Sequence, residues 1–394
     1  MSFSQLKKYL IFIITSLVLF TLMLFIESNN GKFDTADFKV FYLAAKALIS
    51  GDQVYGIPFG METGYYKYSP FSLLILSFYT LFSFKVGAII HFYVIAFSAI
   101  FSIILLEQII NDYLFKNQKW RVLTSFLILL SVLLHFVRDL HLGNTNTILI
   151  LLMILAIKLT LESKEIAAGI LLAIVIMTKP YFIILGLIFL LFKKYKLITS
   201  IAATGTILTL STGIFIGFQD SYLMHIEWFK AMLMHSDYLT SSYTLFYFAD
   251  YYLGIKIPIS YSFPFLIIIA SIISILFYLK SQKETTIEKN KTLIISYFIL
   301  IGIIPNILIT DVEHFLFSLP LISIVILYLK DQKNHIYNII FFLIIFMYGG
   351  NSSDLVGNEL SNDIKYWGFV GIGNLLIIGA AISVYLNKNK WNKN

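Results

Sequence analysis

Asp37, Arg138, Lys179 and the pair Glu313-His314 are the side chains whose chemistry goes beyond what their apolar surroundings require. Asp34 and Asp37 stand three residues apart at the start of an apolar-periodic stretch, where an N-cap and a capping-box acid belong. Helix capping accounts for both. A carboxylate at such a place can equally take a proton from a hydroxyl, although two acids on one turn do not by themselves make the pair of a glycosidase. Arg138 is followed by Asp139, His141 and the run Gly143-Asn144-Thr145-Asn146, and the chain has one other arginine, Arg121. An Arg138–Asp139 pair anchoring a helix end is one reading. A phosphate clamp is the other, because a guanidinium forks onto phosphate oxygens where an ammonium offers a point charge.

Lys179-Pro180 separates two short apolar runs, AAGILLAIVIMT and YFIILGLIFLLF. A lysine there can snorkel to the surface. The proline also breaks the helix and frees backbone polar groups, which at membrane depth line a cavity rather than face lipid. In Thr310-Asp311-Val312-Glu313-His314, a histidine beside an acid can donate to a phosphate or a sugar hydroxyl, or sit in a solvated turn. No H-E-x-x-H spacing is present, so nothing in the sequence asks for a metal.

These groups must be positioned by elements built for lipid. Of 394 residues, 58% are hydrophobic and 13% charged, with mean hydropathy +0.83. That composition excludes a soluble domain and predicts an all-α polytopic membrane protein. There is no cysteine, hence no disulfide, thiolate metal site or Cys nucleophile. The net charge of +7 reflects lysines at loop ends rather than a nucleic-acid partner. The run from Tyr9 to Ile26, preceded by Lys7 and Lys8, is too long for a signal peptide and reads as an uncleaved first span. Twelve further apolar runs follow, at about 71–84, 86–110, 122–137, 147–161, 166–178, 180–192, 197–217, 260–279, 292–309, 315–329, 336–348 and 366–386. The lysine-rich connectors place both termini in the cytoplasm, which requires an even number of crossings. The short run 71–84, preceded by Pro70, is the one that does not cross, leaving about twelve spans in one domain covering 1–394. The chain is expected in the plasma (inner) membrane of the cell envelope, with the acidic and aromatic loops 27–70, 218–259 and 349–365 on its outer side. The first of them carries an amphipathic juxtamembrane helix with Phe38, Phe41, Tyr42, Ala45, Leu48 and Ile49 on one face, ending before Gly51. It is too short and too charged to span a bilayer and is expected to lie along one. No G-x-x-x-x-G-K-[ST] or G-x-G-x-x-G occurs and no inner loop has room for one, so a nucleotide-using domain on the inner face is not expected.

In this order the motifs resemble the polytopic GT-C glycosyltransferases and, within them, glycosyltransferase family 87. The first outer loop of that family is matched by Asp37-Phe38, Tyr42, Ala44-Ala45, Gly51, Tyr55 and Tyr66-Lys67-Tyr68-Ser69-Pro70. Its Arg before Gly-Gln-x-Asn is matched by Arg138 before Gly143-Asn144-Thr145-Asn146, with Asn144 for the usual Gln. Ala168-Gly169 through Lys179-Pro180 matches its next motif. Its Trp-x-His-His is reduced to Val312-Glu313-His314-Phe315.

The resemblance implies transfer of a mannose-like hexose or a pentose, with inversion, from a polyprenyl-phosphate sugar to a lipid-linked, glycan or glycolipid acceptor on the outer face. Asp37 is then the catalytic base. Arg138, Lys179, His314, Asn144, Asn146, Tyr68 and Glu313 are the substrate-binding residues, and no soluble cofactor is implied. Two alternatives stand beside it: a flippase or transporter of lipid-linked sugars, and a polysaccharide polymerase or ligase. The first would show two matching halves. The second would work through the late loop, with His225, Glu227, Lys230, His235 and Asp237.

Overall fold

The computed structural model describes residues 3–33, 35–60, 64–115, 122–234, 242–330, 335–350 and 352–386. Asp34, His235, Asp237 and the lysine-rich stretches 116–121, 331–334 and 387–394 lie outside them. Nineteen α-helices run through the described residues, and no β-strand is present among them. They are α1 (Phe3–Asn29), α2 (Ala36–Ser50), α3 (Pro70–Leu76), α4 (Phe84–Ile109), α5 (Val122–Ser131), α6 (Leu133–Leu142), α7 (Asn146–Leu161), α8 (Glu165–Thr178), α9 (Leu185–Leu191) and α10 (Tyr195–Ile216). Then follow α11 (Phe218–Met234), α12 (Leu245–Leu253), α13 (Ser262–Ser281), α14 (Thr286–Ile307), α15 (Leu319–Lys330), α16 (His335–Gly349), α17 (Ser353–Val356), α18 (Asn358–Tyr366) and α19 (Phe369–Leu386).

Seven of the described helical stretches are long and apolar enough to cross a bilayer, and α5 with α6 adds an eighth if the bent pair counts as one span. The expected figure of about twelve is reached only by adding α7, α8, the stretch Pro180–Leu191 and the stretch Asn338–Gly349, all shorter than the roughly 20 residues a straight crossing needs. Pro70–Leu81, the run expected not to cross, is short as well. The outward faces settle the solvent. Ile214 and Phe215 on α10 are about three-quarters exposed, and Ile268 and Leu276 on α13 more than half exposed. A water-soluble chain could not carry such belts. The protein is an integral membrane protein.

Two cores position the polar residues. The larger one runs through α1, α4, α7, α8, α14, α15 and α19, with α14 almost wholly enclosed. The smaller one buries Phe38, Val40, Phe41, Tyr42, Ala44 and Ala45 of α2 against Val54, Tyr55, Tyr66, Leu73, Leu76 and Ala88. Helix α2 stops at Gly51 as its sequence requires. Its apolar face, however, meets protein rather than lipid, save for the exposed Ile49 at its end. Met224, Trp228 and Ala231 of α11 pack onto the same cluster, and Trp228 Nε1 donates to the Lys67 carbonyl at 3.0 Å.

The apolar run 122–137 is not one straight helix. It breaks at Val132, where α6 turns 67° away from α5. Arg138 and Asp139 therefore sit within a separate helix rather than at the end of a span. The bend is clasped by the end of α16. His135 Nε2 donates to the Tyr348 carbonyl at 2.8 Å, and the two rings meet at 4.8 Å. Gly349 packs so close that a Cβ there would lie 2.7 Å from the Ser131 carbonyl oxygen.

Candidate active site

Asp37 occupies the second position of α2, behind Thr35, whose φ of 43° is left-handed and whose side chain caps nothing. The expected capping box is absent, since a helix beginning at Ala36 sets Asp37 one place too early for it. The carboxylate is used elsewhere. Its Oδ2 accepts from Asn144 Nδ2 at 2.6 Å. The Asn144 amide is fixed in that sense because its Oδ1 accepts the Thr145 backbone N–H at 2.7 Å and the Tyr68 hydroxyl at 3.3 Å. Thr145 Oγ1 in turn donates to Tyr68 Oη at 3.0 Å. Among the described residues Asp37 Oδ1 has no partner, and the side chain is partly open. Burial first, then the neighbouring Asp311 charge, pushes the Asp37 carboxyl from its ordinary 3.8 up to about 6, against the Asn144 hydrogen bond and the Lys179 charge. It remains mostly ionised at neutral pH while being a stronger base than an ordinary aspartate.

The loop that brings Asn144 to Asp37 is anchored from α4. His91 Nε2 donates to the Gly143 carbonyl at 3.0 Å, its Nδ1 accepts from Tyr79 at 3.0 Å, and its ring stacks on Phe38 at 4.9 Å. Gly143, with φ 67°, lies so tightly against α2 that a Cβ would sit 2.7 Å from Phe38 Cβ.

A second set of bonds continues from the same loop. Asp139 is fully buried and accepts from Asn146 Nδ2 at 2.9 Å, from Thr147 N at 3.0 Å and from Thr147 Oγ1 at 2.5 Å. It thus caps the N-terminus of α7 from another helix, where Thr145 supplies no side-chain cap. Of the two readings of Arg138, the one in which it pairs with Asp139 is therefore not met. Arg138 Nε donates instead to the fully buried Glu313 Oε2 at 3.0 Å, leaving about half of its own side chain exposed.

Lys179 does not snorkel. The residue before Pro180 is extended (φ −133°, ψ 95°), and its amine turns inward. Nζ donates to Asn146 Oδ1 at 2.6 Å, contacts His314 Nε2 at 2.8 Å, and stands 5.8 Å from the centre of the Tyr68 ring. His314 Nδ1 faces the Asp311 carbonyl at 3.2 Å and must donate to it, so Nε2 accepts from the lysine. Glu313 and His314 are buried in a short 3₁₀ helix (Val312–Ser318), not in a solvated turn.

Asp37 and the seven residues expected to bind substrate therefore fall into one cluster. Asp37, Asn144 and Tyr68 form one limb, and Asn146, Lys179 and His314 the other. Arg138 and Glu313 lie next to the second. Sequence reasoning missed Asp139 as a hub, Thr145 and Thr147 as donors, His91 as an anchor and Asp311 as the charge acting on Asp37. It also missed Lys67, whose amine burial lowers below its ordinary range while Asp311 and Asp37 pull it back up. None of these carries a periodic signal, because each partnership joins separate elements. From the late loop, His225 donates to Ser221 O within α11 at 2.7 Å and, among the described residues, has no hydrogen bond to the cluster. Among the described residues no group of three or more His, Cys, Asp or Glu is arranged to hold a metal ion.

Among solved structures, ArnT from Cupriavidus metallidurans bound to undecaprenyl phosphate is similar over 96% of this chain and 77% of its own, with 13% identity and a TM-score of 0.41. At that score the likeness carries no argument about fold or chemistry. Curated proteins give no match. The family model of glycosyltransferase family 87 does match, over residues 66–301, more than half of the chain. That stretch contains Tyr68, Arg138, Asn144, Asn146 and Lys179, five of the residues gathered around Asp37. This chain belongs to glycosyltransferase family 87.

Proposed function

We propose that this membrane glycosyltransferase moves a mannose-like hexose or a pentose, with inversion, from a polyprenyl-phosphate sugar to a glycan or glycolipid acceptor on the outer face of the plasma membrane. The observation that carries the reading is that a partly open carboxylate, Asp37, and a buried cation, Lys179, are each held by hydrogen bonds from the same short loop, through Asn144 and Asn146 respectively. The acceptor oxygen attacks the anomeric carbon and its proton passes to Asp37. The bond from that carbon to the phosphate oxygen breaks, and the departing lipid phosphate keeps the electron pair. Its growing negative charge is met by Lys179 and by Arg138, which turns from Glu313 towards it. The phosphodiester of the donor already carries one negative charge, and the second one that develops on departure strengthens both contacts, which favours the transition state over the bound donor. Asn144 and Tyr68 hold the base, and His314 and Asn146 hold the lysine.

The test uses purified full-length protein in lipid vesicles with radiolabelled polyprenyl-phosphate sugars and a mixed glycan and glycolipid acceptor extract. Transfer from at least one lipid-linked donor, lost in Asp37→Asn, is expected. Transfer from nucleotide sugars alone, or undiminished transfer by the variant, would overturn the proposal.

A further inference from the structure

An ammonium has three protons to donate, and Lys179 spends one on Asn146 Oδ1 and one on His314 Nε2. Among the described residues the third has no hydrogen-bond acceptor, so the two occupied directions decide where it points. The Asn146 amide can serve Lys179 in one orientation only, with oxygen towards the ammonium and nitrogen away. That orientation is imposed by Asp139 Oδ1, an acceptor that takes the amide N–H at 2.9 Å. Asp139 itself is fixed by its other oxygen, which accepts both the backbone and hydroxyl donors of Thr147.

We infer that Asp139 is the positioning residue for the donor-phosphate cation: through the Asn146 amide it aims the remaining Lys179 proton at the anionic leaving group. This rests on the reading of Lys179 as the phosphate ligand given above. Asp139 touches no substrate. Its negative charge also balances the lysine inside the protein, two bonds away, without neutralising the proton left for the lipid phosphate. Arg138, one residue earlier on α6, pairs with Glu313. Successive residues of one helix turn thus serve two different cations of the site, one directly and one by relay.

The arrangement makes a specific demand on chemistry. In Asp139→Asn the amide oxygen keeps the Thr147 donors, so the cap on α7 survives. Its nitrogen then meets the Asn146 nitrogen, donor against donor. Asn146 turns over and presents its NH₂ to the ammonium. Adding Asn146→Asp repairs this: a carboxylate at 146 accepts from the new amide and from Lys179 together, and the number of charges returns to that of the native protein.

Undecaprenyl phosphate is the probe, titrated onto the purified full-length protein and followed by intrinsic tryptophan fluorescence. Asp139→Asn should bind it roughly tenfold or more weakly, and Asp139→Asn/Asn146→Asp should recover to within about threefold of native. Native-like binding by the single variant overturns the inference, as does failure of the double variant to recover while it retains the native melting temperature. Should Asp139→Asn not fold, Asn146→Ala, which leaves Asp139 both Thr147 donors, decides instead: unchanged affinity overturns the relay. Lys179→Gln separates the two claims. If it binds as tightly as native protein, or if native protein does not bind the probe, the phosphate reading falls and the relay with it. If Lys179→Gln loses binding while Asp139→Asn keeps it, the relay alone falls.

Discussion

Replacing Asp37 by asparagine sets a catalytic account against a structural one with opposite signs. The folded protein raises this carboxyl from 3.8 to about 6, chiefly by burying it. Between those two values the folded state binds more protons than the unfolded chain, so stability falls as pH rises through that window. Above about pH 6 the whole cost of holding the charge is present. At about 1.4 kcal/mol per pH unit it amounts to about 3 kcal/mol, an upper bound because the carboxylate keeps some contact with solvent. Asparagine removes that cost and still accepts from Asn144 Nδ2. The variant should therefore melt at or above the native temperature at pH 7.5, with the difference vanishing near pH 4. Its turnover should nevertheless fall by about 10² to 10⁴, the usual loss of a positioned base. Thermal unfolding at both pH values and single-turnover transfer at pH 7.5 are the assays. A variant that melts lower at pH 7.5 and still turns over would show that Asp37 serves the helix and not the reaction.

The same reasoning applies to Asp311, whose charge is the second cause of the high Asp37 value. Asp311→Asn should move the acidic limb of the kcat/KM profile to lower pH, and an unmoved limb would disconnect the two acids. Arg138→Ala leaves the buried Glu313 carboxylate without its donor and should cost about 1–3 kcal/mol in melting experiments. Adding Glu313→Gln should restore most of the stability but not the activity. The native chain has no thiol, so Ser50→Cys, at the exposed end of α2, reports the side of the membrane directly. Labelling by an impermeant maleimide in intact cells is expected, and protection would reverse the topology.

Local signals were read correctly where one element decides the outcome. The apolar face of α2, its stop at Gly51 and the helix break at Pro180 all follow from short-range rules. Composition alone identifies the membrane as the solvent. The capping box failed because the spacing of Asp34 and Asp37 suits it only if the helix starts at Thr35, and no residue type there fixes the start one place earlier than Ala36. The Arg138–Asp139 pair failed for a different reason. Neighbours on a helix point in different directions, and their true partners, Glu313 and Asn146, are separated from them by the fold rather than by a readable interval. The break at Val132 had no proline or glycine to announce it.

That break sets a condition on any attempt to transplant this enzyme's chemistry. The family match ends at residue 301, yet the angle at which α6 carries Arg138 and Asp139 is gripped by Tyr348 and Gly349, nearly fifty residues later. A chimera assembled from the matched region alone would inherit the reactive side chains without the vice that holds them. In directed evolution, substitutions at 348 and 349 should behave as if they lay in the active site, although neither residue belongs to the polar cluster.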